Sequence, residues 1–156
     1  MKRVYESASD AETRAIGAAI GALLQPPKML ILTGDLGAGK TTLVKGLVAA
    51  LEAGDEDAVT SPTFTLVHSY EGWQDGQPVQ VMHLDLYRLE SERQLATLGL
   101  TDLMADDALV LMEWGEKFAS VVEMADGVIQ IEHLSEDRRR ITLEISGLEI
   151  PGQKIV

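Results

Sequence analysis

Apolar and polar positions recur along this chain with two periods, and each change of period marks the edge of an element. A short apolar-polar start predicts an edge strand. Ser9-Asp10-Ala11-Glu12 then has the form of a capping box, which satisfies the first free N–H groups of a helix. Ala15, Ile16, Ala19, Ile20, Leu23 and Leu24 follow at helical spacing. Pro26-Pro27 closes that helix, because proline lacks an N–H and disfavours helical geometry in the residue before it. Met29-Leu30-Ile31-Leu32-Thr33 is continuously apolar, as a strand covered on both faces is in a parallel sheet. It runs straight into a glycine-rich bend, after which the pattern is helical from Lys40 to about Leu51.

Farther along, Gly54-Asp55-Glu56-Asp57 and Thr60-Ser61-Pro62-Thr63 form a polar, acidic connection. The stretches 64–70 and 79–86 are β-rich, and the turn residues of 72–78 between them predict an antiparallel hairpin. Ser91-Glu92-Arg93-Gln94 is a second capping box, opening a short helix that should end near Gly99. Ala108-Leu109-Val110-Leu111-Met112 reads as another buried strand, which delivers Glu113 and Trp114 at its end, with a short helix from Glu116. Alternation in 128–132 and again in 140–145 predicts a terminal antiparallel pair.

Composition narrows the class. A chain of 156 residues that is 46% hydrophobic and 24% charged suits one soluble domain, 1–156, with a single core. The net charge of −12 argues against a surface that neutralises phosphate backbones, so no direct nucleic-acid binding is expected. Without cysteine there is no disulfide, thiolate nucleophile or thiolate zinc site. No apolar run approaches the ~20 residues of a membrane span, and the start lacks the apolar stretch of a secretory signal, so the expected location is cytoplasmic, with no membrane association.

An acidic protein that handles a polyanion must make its positive potential locally, and Gly34-Asp35-Leu36-Gly37-Ala38-Gly39-Lys40-Thr41 is built for that. Backbone N–H groups wrap phosphates closely only where side chains do not intrude, a need that Gly34, Gly37 and Gly39 meet. Lys40 then offers an ammonium to the β- and γ-phosphates, Thr41 a hydroxyl to Mg2+, and the helix its positive end to the anion. The bland alternative, a glycine-rich strand-to-helix turn with no ligand, is disfavoured by the flanking strand and helix.

Enzymes with such a loop place a further carboxylate at the end of a neighbouring buried strand, to complete the magnesium shell or orient water. Asp85 and Glu113 both qualify, and spacing does not rank them. Trp114 is equally compatible with the core and with the border of a nucleotide. His68, His83 and His133 are too scattered for a metal cluster and carry no assigned role, while Arg138-Arg139-Arg140 reads as a solvated hairpin end, with contact to phosphate or a partner as the lesser alternative.

Together, Gly34 to Thr42, Ser61-Pro62-Thr63-Phe64, His83-Leu84-Asp85-Leu86-Tyr87-Arg88 and Glu113-Trp114-Gly115-Glu116 resemble the TsaE (YjeE) family, over most of the chain. The resemblance implies a P-loop NTPase of three α/β/α layers, with a mixed, mainly parallel central sheet and antiparallel edge strands. It implies an ATPase, slow alone and dependent on Mg2+, that serves the threonylcarbamoyladenosine modification of tRNA with the TsaD and TsaB proteins. By residue, it implies catalytic roles for Lys40, Asp85 and Glu113, and phosphate contacts from Gly37, Ala38, Gly39, Lys40, Thr41 and Thr42. Magnesium would be held by Thr41 and Glu113, with Trp114 near the nucleotide, Thr13 near the base and Thr63 in a nucleotide-sensitive loop.

Two rivals remain. A small-molecule kinase would use the same loop but needs an arginine-rich lid, which is not evident. A nucleotide-gated interaction module would use ATP to order the 60–63 loop, with turnover only as a reset. A GTPase is disfavoured because the chain contains no asparagine for an Asn-Lys-x-Asp guanine reader.

Overall fold

The two continuously apolar runs are strands with both faces covered. In the computed structural model, which describes residues 1–35, 39–51 and 67–146, β2 (Lys28–Gly34) sends Leu30 and Leu32 to one face and Met29 and Ile31 to the other. Strand β5 (Ala108–Glu113) does the same, with Leu109 and Leu111 opposite Ala108, Val110 and Met112. Full removal of one such aliphatic side chain from water is worth roughly 1.5–3 kcal/mol. An exposed pair such as Arg138–Glu6 contributes less than about 1 kcal/mol, so the two apolar faces hold the fold.

Seven strands form one sheet in the order β1-β7-β6-β2-β5-β4-β3. The central four, β6 (Gly127–His133), β2, β5 and β4 (Gln77–Asp85), are mutually parallel. Strands β1 (Lys2–Ser7), β7 (Arg139–Ile145) and β3 (Val67–Gln74) pair antiparallel at the margins. Helices α1 (Asp10–Leu23) and α2 (Lys40–Ala50) cover one face. Helices α3 (Glu92–Ala96), α4 (Leu100–Leu103) and α5 (Ala119–Met124) cover the other, with the 3-10 turn Gly115–Lys117. This is the three-layer, mixed-sheet architecture expected from the sequence.

Local chemistry explains most boundaries. Ser9 accepts a hydrogen bond from Glu12 N at 3.1 Å, and Ser91 one from Gln94 N at 3.1 Å, so both capping boxes form. At the other end of α1, the Gln74 amide donates to the carbonyls of Gly21 and Leu24, which lack partners within the helix. The hairpin is tighter than its composition suggested. Gly72 and Pro78 lie inside the strands, and the turn is only Asp75-Gly76, both with positive φ, as a two-residue connection between twisted strands requires. Helix α3 also stops early, at Ala96, and Gly99 in the left-handed region opens α4, a helix the sequence pattern did not reveal.

Helices α1 and α2 approach backbone to backbone. A Cβ on Gly46 would run into the Arg14 carbonyl, and one on Gly17 into the Leu43 carbonyl. Gly46→Ala is therefore expected to destabilise the protein by about 1–3 kcal/mol, although alanine is favoured by ~1 kcal/mol in a free helix. A denaturant titration checks this, and a stabilised variant would mean that the helices separate without cost.

Candidate functional site

The glycine-rich bend lies where β2 hands over to α2. Gly39 is the N-cap of α2, with φ of +109°, a conformation that only glycine adopts cheaply. Among the described residues no side chain bonds to that cap, and no acidic residue stands in the first turn of α2, which leaves the positive end of the helix unneutralised there. Thr41 and Thr42 are the second and third residues of the helix, both half-buried. Gly37 and Ala38, with Leu36, lie outside the described residues, as do Thr60, Ser61, Pro62 and Thr63.

Strand register gathers the carboxylates. Asp85 ends β4, Glu113 ends β5, and the two are direct neighbours across the parallel pair. Alternation puts Glu113 on the same face as Leu109 and Leu111, and Asp85 and His83 on the same face as Val79 and Val81, which is the face covered by α1 and α2. Lys40 reaches into that corner. Its ammonium donates to the Gly34 carbonyl at 2.8 Å and lies 3.2 Å from Glu113 Oε1. The second carboxylate oxygen, Oε2, is 2.7 Å from Nε2 of the His83 ring, which is fully buried. Asp85 Oδ1 accepts from the Tyr87 backbone N–H at 2.9 Å, which fixes the chain just past the strand.

Burial alone would raise the Glu113 pKa. The hydrogen bond and charge of His83, then those of Lys40, outweigh it and hold the carboxyl below the ordinary glutamate value. Glu113 is thus ionised across the neutral range, ready to attract a cation.

Around the mouth, Trp114 has a left-handed backbone and is 40% exposed, so it is not core. Its ring lies 5.2 Å from that of Tyr87, itself 57% exposed. Lys117 fastens this rim by donating to the carbonyls of Tyr87 and Leu89 at 2.8 and 2.7 Å. Thr13 is elsewhere, buried in α1, with its hydroxyl 2.6 Å from Ser7 Oγ and bonded to the Ser9 carbonyl. It is not part of the Lys40–Glu113–His83 group.

Two further side chains lie beside the carboxylates and the glycine bend. His83 carried no role, yet its position two residues before Asp85 on a strand puts both on one face, and that parity was the available signal. Arg138 and Arg140 are solvated as expected, paired with Glu6, but Arg139 turns inward and lies against Gly39. It shares the parity of the buried Ile141, Leu143 and Ile145.

Known proteins resemble this chain closely. The family model described as threonylcarbamoyl adenosine biosynthesis protein TsaE matches residues 7–141. A Treponema pallidum protein named tRNA threonylcarbamoyladenosine biosynthesis protein TsaE is 36% identical over 143 residues, 92% of this chain and 99% of that protein. The Bacillus subtilis protein of the same name is 34% identical over 143 residues, 92% of this chain and 85% of its own. The crystal structure of Bacillus subtilis YdiB superposes with a TM-score of 0.66 at 28% identity, covering 94% of this chain and 87% of that one.

Proposed function

Because this chain belongs to the TsaE family of threonylcarbamoyl adenosine biosynthesis proteins, we propose that it binds ATP with Mg2+ and hydrolyses it in support of tRNA modification. The observation that carries this reading is the buried chain of Lys40, Glu113 and His83, with Asp85 in register beside it, at the bare N-terminus of α2. It supplies what phosphoryl transfer to water asks of a protein, which is positioning and charge stabilisation more than covalent chemistry.

In this reading, backbone amides from Gly37 to Thr42 grip the phosphates, and Lys40 swings from Glu113 and the Gly34 carbonyl to the β- and γ-phosphate oxygens. The donor set fits the cation. Among the described residues no three His, Cys, Asp or Glu side chains converge, and magnesium characteristically takes one or two carboxylates and completes its shell with phosphate and water oxygens. Thr41 and Glu113 would hold it, with Asp85 beside them ordering the attacking water or the metal's own waters. Bound there, it would neutralise negative charge on the phosphates. Trp114 would border the nucleotide, and Thr13 would lie near the base through the backbone turn that its hydroxyl braces. Among the described residues no helix is long and apolar enough to cross a membrane, and the acidic net charge suits a protein whose partners, rather than itself, hold the tRNA.

The partners proposed are the TsaD and TsaB proteins. Turnover of ATP by the isolated chain is expected to be slow, and to rise when both are added. Calorimetry showing no heat on mixing folded protein with magnesium and ATP would remove the basis of the proposal, while binding without stimulation would remove only the partner assignment.

A further inference from the structure

Arg139 stands at the start of β7, two strands from β2 on the side away from β5. A Cβ built on Gly39 would lie 3.2 Å from its Nε and 3.3 Å from its Cδ, so its side chain rests on the last glycine of the loop. The side chain is only 14% exposed. Its one ion pair among the described residues is long, 3.8 Å to Asp10, whose side chain is 75% exposed, and such a pair contributes little. Its Nε is buried without a hydrogen-bond acceptor among the described residues. A guanidinium drawn out of water and left short of acceptors costs stability unless something else supplies them.

The position says what that is. Lys40 occupies the flank of the loop toward β5, where Glu113 and Asp85 end, and Arg139 occupies the opposite flank, toward β7. A polyphosphate laid across the N-terminus of α2, with its metal-bound end at Glu113, extends its other end toward Arg139. We propose that Arg139 is a nucleotide-binding residue whose guanidinium grips the phosphate chain at the α- and β-phosphates, away from the hydrolysed group. The inference rests on the nucleotide-binding reading given above. Guanidinium suits the task because its planar fork of donors matches two phosphate oxygens at once.

The test uses the full chain, with ATP and ADP titrated calorimetrically in the presence of magnesium. Arg139→Gln should weaken both nucleotides by the same factor, about ten- to a hundredfold, as expected for a lost hydrogen bond to a charged group. Arg139→Lys, which keeps the charge and most of the stem, should regain a good part of the loss. The nucleotide-free thermal midpoint should not fall below that of the wild type, whereas a merely structural role would lower it. Undiminished affinity in Arg139→Gln would overturn the proposal, as would a loss confined to ATP, since that would place the contact on the γ-phosphate. Arg139→Lys binding no better than Arg139→Gln would also overturn it. If the wild-type protein took up no nucleotide at all, the fault would lie in the reading of the loop; wild-type binding with an indifferent variant condemns the Arg139 assignment alone.

Discussion

Lys40→Ala is expected to lower ATP turnover by at least about 10²–10³-fold, the usual cost of removing one preorganised donor from a developing charge. The loss should be severe because among the described residues no other cation pairs with Glu113 except the buried His83. Lys40 is the cation placed within reach of both the loop carbonyl of Gly34 and the carboxylate of Glu113, and Arg139 lies on the other flank. Some stability should be lost too, since Glu113 is buried and would keep only His83 as a partner. A thermal melt separates the two effects. A folded variant that turns over ATP at the wild-type rate would discredit the assignment of the loop.

Glu113→Ala should raise the magnesium concentration needed for nucleotide binding more than Asp85→Ala does. Both carboxylates end adjacent strands, but they differ in what holds them. Glu113 is pulled below the ordinary glutamate pKa by His83 and Lys40, against its burial, and so presents a full negative charge beside the loop. Asp85 uses one of its oxygens to fasten the Tyr87 backbone. Glu113→Gln, which keeps shape and hydrogen bonding while removing the charge, should behave like alanine in magnesium dependence but melt closer to wild type. Magnesium titrations with the order reversed would exchange the roles of the two residues.

What sequence makes legible here is whatever is local. The strand, bend and helix around Gly34 to Lys40 are adjacent in the chain, and so were the two capping boxes, the hairpin and the acidic ends of β4 and β5. Spacing alone does not rank Asp85 against Glu113, and the contact of Lys40 with Glu113, which supports the second, depends on β5 lying next to β2. His83 offered no signal beyond its parity with Asp85, because its partner is on another strand. Arg139 looked like its solvated neighbours because a run of three arginines has no inside or outside until β7 takes its place in the sheet. Nothing in the sequence pattern marks Gly17 or Gly46, and only the crossing of α1 and α2 shows why a side chain is excluded there.

The strand order also has a consequence for the growing chain. By the time β4 has been synthesised, β2 and β4 both exist but are not neighbours, because the space between them belongs to β5. Glu113 therefore arrives on a strand made after both of the strands that flank it. A nascent polypeptide ending before Glu113 would carry the glycine bend yet leave Lys40 without that carboxylate partner.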